Sequence, residues 1–372
     1  MIAGTLRGMF QPVFEISLPL HRALVELELL RNELERQPVD VGVLAGLRQT
    51  ARLRTSHFST QIEGNELTER EVTQAVAGQR FPGRERDVTE VRNYYAALTW
   101  VEELAASSQS LTTRVIRTLH GLAWRGRRVA SRYRDGQNVI RDGRTGRIVY
   151  LPPEASDVAP LMTELAAWTN GEIGRRHWPI PVVAALAHYQ LVTIHPWYDG
   201  NGRTARLLTT LILHRGGYGL HGLYSLEEDY AERLHDYYSA LQVGPSHNYY
   251  EGRSAAPVTG FLEYFCGGMV EALRRVHGPC RGAQERGTPD LASHWRRLDP
   301  RQRRVLSLFR DHAEVSTLQI ALVLGLTVRT TGPLCRRWVA EGFLELANPA
   351  RKSRLYRLSP TAEAWLADLP PY

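Results

Sequence analysis

The feature that most restricts the fold is a run of small residues, Gly200-Asn201-Gly202, set between two apolar segments. Residues 182–194 ahead of it have the apolar density of a buried helix, and residues 195–202 read as loop. Residues 203–214 read as the next helix, with Leu207, Leu208, Leu211 and Ile212 at helical spacing. Such a loop points backbone N–H groups at one spot, where the positive end of the helix dipole also lies. Arg203 and Arg206 are three apart, so they share a helix face and can grip one anion together. Asp199 stands beside that anion site, where a lone carboxylate makes sense with a bound cation such as Mg²⁺. His195, just upstream, can take a proton from an attacking hydroxyl. Anion nest, paired arginines, metal carboxylate and base together describe phosphoryl or nucleotidyl transfer.

Composition narrows the chemistry further. Of the 46 basic residues only Lys352 is lysine. A Walker A lysine, a kinase strand lysine and a Schiff-base lysine are therefore excluded. Any nucleotide must be held by backbone amides and arginines. Three scattered cysteines, Cys266, Cys280 and Cys335, form neither a disulfide framework nor a cysteine zinc site. No apolar run approaches the length of a membrane span, and the first residues lack a basic-then-apolar leader pattern. The expectation is a protein of the reduced cytoplasm with no membrane partner. At 372 residues it holds two or three domains.

The stretch from His195 to Arg206 resembles the signature of the Fic family, His-Pro-Phe-x-Asp-Gly-Asn-Gly-Arg-x-x-Arg. Eight of its nine fixed positions match, and Trp197 stands for the phenylalanine. The resemblance implies transfer of AMP from ATP to a Thr, Ser or Tyr hydroxyl of a target protein or of the chain itself. It implies His195 as base, Asp199 as Mg²⁺ ligand, and Gly200, Asn201 and Gly202 around the α- and β-phosphates. Arg203 would neutralise the β-phosphate region and Arg206 would bind the γ-phosphate. Residues 147–153 resemble the family's target-docking flap, with Ile148, Val149, Tyr150 and Leu151 pairing a target segment as an added strand. Residues 229–242 resemble the helix that closes the adenine pocket, with Tyr237 and Tyr238 as packing residues. The family often has Asn-Arg ahead of this pair, where this chain has Glu232-Arg233. Ser59-x-x-x-Glu63-Gly64 resembles the inhibitory motif, Glu63 being the carboxylate that would occupy Arg206.

The fold class expected is mainly α: a Fic-type helical core with a small β-hairpin flap, plus a winged helix-turn-helix domain. The boundaries read from the sequence are 1–80 for an N-terminal helical region, 81–276 for the catalytic core, 277–298 for a linker and 299–372 for the last domain. In the N-terminal region, helices are expected over 20–34 and 41–55. Others follow over 87–100, 111–124, 157–168, 226–241 and 258–276. Eleven basic and four acidic residues lie between Arg301 and Arg357, as much net charge as the whole chain carries (+7). A basic module on a neutral body suggests anion binding. Its pattern of helix, helix, turn, helix and two strands reads as a winged helix. Arg329, Thr330 and Thr331 would open the recognition helix, and Arg351, Lys352 and Arg354 would reach phosphates from the wing. Two alternatives stay open beside AMP transfer: a DNA-binding regulator with a nucleotide-sensing Fic domain, and a hydrolase that removes AMP. A homodimer is a further possible partner arrangement.

Overall fold

The computed structural model describes residues 10–36, 41–142, 145–244, 246–285, 298–310, 312–348, 354–360 and 362–363. The chain divides into two compact units, Met1–Arg281 and Gly282–Tyr372.

The first unit is built around helix α7 (Ile180–Ile194), which is apolar on every side and buried along nearly its whole length. A helix of that kind is stable only when other helices surround it. Helix α8 (Asn201–Leu213) packs along it, and α6 (Ala155–Arg175) covers another side. Helices α4 (Glu85–Ala105) and α5 (Thr113–Arg125) pack on α8 in turn. Before them come α1 (Leu18–Arg36), α2 (Val41–Gln61) and α3 (Glu69–Val76). Helices α9 (Leu226–Glu232) and α10 (Leu234–Leu241) meet at Arg233, whose φ of −118° and ψ of 45° break the single helix expected over 226–241. Helix α11 (Thr259–Glu285) runs on into the segment read as linker, and residues 286–297 lie outside the described residues. Two short strands, β1 (Ile140–Arg141) and β2 (Ile148–Tyr150), pair antiparallel with Ile140 opposite Tyr150.

Helix α2 is longer than the sequence suggests. Its last turns hold Ser56, His57, Ser59 and Thr60, and the Ser and Thr among them are weak helix formers when exposed. Here all four are buried, and the Ser56 and Thr60 hydroxyls bond back to the carbonyls of Arg52 and Ser56. Packing on α4 and α9 keeps the helix intact to Gln61. The inhibitory-type motif therefore begins on a helix and ends in a turn, where Gly64 adopts a φ of 92°.

In the second unit, helix Pro300–Leu306 precedes β3 (Val315–Ser316) and helix Thr317–Leu324. Ser316 and Gln319 form a reciprocal capping box at that helix start. Gly325, at a φ of 67°, ends it, and the chain turns 106° into helix Val328–Ala340. Pro333 lies inside this helix without ending it. Strands β4 (Leu344–Asn348) and β5 (Leu355–Leu358) join β3 in an antiparallel sheet of order β3-β5-β4. Val305, Cys335, Trp338, Phe343 and Tyr356 form the core of this unit.

Candidate active site

The loop between α7 and α8 carries the polar residues of the motif, and its backbone is pinned almost peptide by peptide. His195 ends α7 in the left-handed region, φ 51° and ψ 60°. Its Nδ1 lies 3.3 Å from the Val192 carbonyl. With Nδ1–H donating there, Nε2 carries the free lone pair. Burial pushes the imidazole down to about 4, and Arg134 reinforces this against Val192, Glu63 and Asp199. The ring is therefore neutral near pH 7.

Trp197 fills the anchor position. Its indole is buried and stacks on His120, centroids 4.1 Å apart and planes 9° from parallel. His120 Nε2 also bonds the Asp199 carbonyl at 2.9 Å, and its Nδ1 meets Ser131 Oγ at 2.8 Å. Asn201 closes the loop on itself. Its Oδ1 accepts from Trp197 N at 3.0 Å and its Nδ2 donates to Trp197 O at 2.8 Å. The Asn201 side chain is thus consumed by the loop, and what remains for a phosphate is the amide row at the start of α8. Gly200, at a φ of 78°, makes the bend into that helix.

The two arginines of α8 are both buried but differ in partners. Arg203 Nη2 lies 3.3 Å from Asp199 Oδ1, Nη1 lies 3.7 Å from Glu90, and the guanidinium sits over the Trp124 ring. Its Nε and Nη1 lack hydrogen-bond partners. Buried donors without acceptors carry a desolvation cost that an arriving anion relieves. Arg206, by contrast, is engaged. Its Nε donates to Ser59 Oγ, and its Nη2 donates to Ser59 O and Glu63 Oε1, all at 2.8 Å. Burial alone would lower this guanidinium, but Glu63 and the surrounding tyrosines hold it above its ordinary value. The Glu63 carboxylate lies over the first turn of α8: a Cβ added at Gly202 would meet Glu63 Oε1 at 2.5 Å.

The structure thus gathers His195, Asp199, Gly200, Asn201, Gly202, Arg203, Arg206 and Glu63 in one place. It separates the tyrosine pair. Consecutive residues on a helix point about 100° apart. Tyr237 is buried, stacked on Tyr230, with its hydroxyl 2.8 Å from His188 Nε2. It backs the site from the core, with its ring closed off from solvent. Tyr238 is half-exposed, within the electrostatic reach of Glu63 and Arg206.

The hairpin is also only partly free. Ile148 is exposed and Val149 half-buried. Tyr150 turns into the core and donates to Thr193 O at 2.7 Å. Leu151 has its N–H on His247 O and its carbonyl on Tyr249 N. Those last two are engaged with the body of the fold. In the second unit Arg329 and Thr330 are exposed at the helix start, where the Thr330 amide is held by the Thr327 cap. Arg354 is half-buried, and Arg351 and Lys352 lie outside the described residues.

Two residues that the sequence did not single out matter here, His120 and Arg134. Neither has a local signal, because their partners in the motif loop are 61 to 79 positions away.

The helical core thus sets a helix start, a neutral imidazole and two buried arginines in one place. Residues 110–213 match the family model described as Fic/DOC family, and the chain carries a Fic domain there. Similar curated proteins include protein adenylyltransferase Fic of Drosophila grimshawi, 33% identical over 205 residues. That alignment covers 53% of this chain and 40% of the relative. The counterpart of Drosophila melanogaster is 32% identical over 205 residues, covering 53% and 39%. The chain thus spans about two fifths of the length of these relatives. Among solved structures, a Fic family protein from Desulfovibrio desulfuricans G20 superimposes with a TM-score of 0.60 at 25% identity. It covers 94% of this chain and 99% of its own. Fic-1 from C. elegans, residues 134–508, gives 0.57 at 25% identity over 71% of this chain and 73% of its own.

Proposed function

We propose that this protein is a protein adenylyltransferase that moves AMP from ATP onto a Thr, Ser or Tyr hydroxyl of a target protein, and onto itself. The observation that carries the reading is the loop geometry: a neutral imidazole with a free Nε2 next to a helix start flanked by Arg203's unpartnered donors. In this reading His195 Nε2 takes the acceptor's proton as the oxygen bonds to the α-phosphorus, and the bond to the β-phosphate oxygen breaks, releasing pyrophosphate. The α8 amides and Arg203 hold the charge that builds on the phosphates.

Mg²⁺ fits this site through Asp199. The carboxylate is half-exposed, and its contacts with Gly200 N and Arg203 both fall on Oδ1, leaving Oδ2 to a cation. Among the described residues no three acidic, histidine or cysteine side chains converge. Substrate phosphates would complete the shell, as is usual for Mg²⁺. When bound, the ion would neutralise phosphate charge.

Glu63 is the inhibitory residue in this reading. Arg206 can satisfy a γ-phosphate or Glu63, and Glu63 holds it. The test is incorporation of α-labelled ATP at fixed Mg²⁺. Glu63→Gly is expected to raise it well over tenfold, a few kcal/mol of restraint. His195→Ala is expected to lower it by about 10²–10⁴ in either background. Equal labelling by wild type and Glu63→Gly sinks the inhibitory role, and labelling that survives His195→Ala sinks the base.

We read the second unit as a winged helix-turn-helix that contacts DNA in a cytoplasmic protein. Its two helices crossing at 106° and its flanking hairpin support this, with Arg329 exposed where a recognition helix begins. The paired change Arg351→Ala with Lys352→Ala is expected to flatten the salt dependence of duplex binding by about two units. No retardation of DNA fragments by the intact protein at low salt would make the unit a protein-binding module.

A further inference from the structure

We infer that Arg134 is a positioning residue for the transfer reaction, holding the His195 backbone in its left-handed bend and fastening it to the exit of the 140–151 hairpin. This rests on the reading of His195 as the base.

Arg134 is buried, 4% exposed, in the loop between α5 and β1. Its Nε donates to the His195 carbonyl at 2.9 Å. Its backbone N–H donates to the Pro196 carbonyl at 3.0 Å. Nη1 donates to Gly136 O at 2.9 Å, and Nη2 donates to Pro153 O. One guanidinium thus joins three segments: the motif loop, its own loop and the segment leaving the hairpin. All of these acceptors are backbone carbonyls.

That choice of partners has a physical meaning. A buried guanidinium without a carboxylate costs solvation that carbonyls repay only if every arm is engaged. Its fork is rigid and planar, so engaging every arm fixes the three segments relative to one another. The rest of the motif loop has other anchors, His120 on Asp199 and Asn201 on Trp197. Among the hydrogen bonds described above, the carbonyls of His195 and Pro196 are held by Arg134 alone. The orientation of the His195 peptide sets where Nε2 points, and a base displaced by 1 Å can lose about 10² in rate. The same guanidinium ties that peptide to Pro153, three residues beyond Tyr150 of β2. A target strand laid on the hairpin and the base that must meet its hydroxyl would therefore share one anchor.

The experiment uses the full chain in the Glu63→Gly background, with self-labelling from α-labelled ATP as readout. Arg134→Met and Arg134→Lys are compared for kcat, for KM of ATP, and for ATP affinity by calorimetry below their measured melting points. For Arg134→Met the expected result is a kcat lower by about 10², with KM and ATP affinity within about twofold of the parent, because no arm of Arg134 reaches the phosphate residues. Arg134→Lys keeps the charge but can engage fewer carbonyls, and is expected to recover about tenfold of the loss. If Arg134→Met does not fold, Arg134→Lys carries the test, expected about tenfold below the parent. A kcat within twofold of the parent overturns the inference. So does a loss that tracks ATP affinity, which would mark a general disturbance of the site. Absent transfer in the parent itself overturns the functional reading on which the inference stands, and is distinguishable from either result.

Discussion

The motif loop and the hairpin lie on either side of Arg134 and are built in opposite ways. The loop at 195–201 has its carbonyls taken by Arg134, Asn201 and His120, and its Trp197 indole is sealed beneath it. The hairpin has strands of two and three residues and shows Ile148 to solvent. A site that performs chemistry tolerates little displacement, whereas a surface that receives different polypeptide segments gains from compliance. Rigidity here comes from polar contacts made to backbone, and compliance from strands this short with an exposed side chain.

The sharpest way to break that contrast is Asn201→Ala. It removes both bonds to Trp197 and leaves the buried Trp197 N–H unpaired, about 1–3 kcal/mol, while the Trp197 carbonyl keeps only Asn138 Nδ2 at 3.4 Å. Melting of the first unit is expected to fall, and AMP transfer in the Glu63→Gly background to drop by at least about 10². Unchanged transfer would show that the loop holds its shape without the clamp.

The next test uses pH. Burial pushes His188 down to about 3 and His120 down to about 4. An unfolded imidazole takes a proton near 6.5. As pH falls below 6.5 the unfolded chain binds protons that these two buried rings refuse, so stability declines until pH reaches 3 to 4. Thermal melts between pH 7.5 and 4 are expected to show this decline, with a shallower slope in His188→Gln. An equal slope in the variant would mean His188 titrates freely in the fold.

The smallest effect belongs to the hairpin. Ile148→Ser is expected to leave the melting point within about 1 °C, since surface changes lie within about 0.5 kcal/mol. KM for a protein target is expected to rise a few-fold with kcat held. A fall in kcat at saturating target would give Ile148 a part in the chemistry.

The same contrast explains what could be read from the amino acids. Residues 195–206 announce their site because residue types and spacing are local, and the apolar α7 announces its burial. The helix class of α1, α4, α5, α6 and α8 follows from periodicity. Helix α2 beyond Thr55 was not legible, because Ser and Thr favour turns until packing on α4 and α9 removes the solvent. The break at Arg233 was hidden for a related reason: periodicity runs through it, while Arg233 itself is tied by its guanidinium to buried Asp229. Tyr237 and Tyr238 are chemically identical neighbours, and only the helix phase tells core from surface. His120 and Arg134 act through partners far along the chain, which a linear reading does not reach.

The place above Gly202 can hold one carboxylate or one phosphate. On the proposed reading, Glu63, delivered there from the end of α2, competes as a tethered ligand, at an effective concentration fixed by the fold and indifferent to how much protein is present. Raising the nucleotide concentration meets the same resistance in every molecule. What can change that resistance is anything that loosens the last turn of α2 and the turn after it, from which Ser59 and Glu63 together grip a single guanidinium. On the proposed reading, the switch of this protein is the fraying of one helix end.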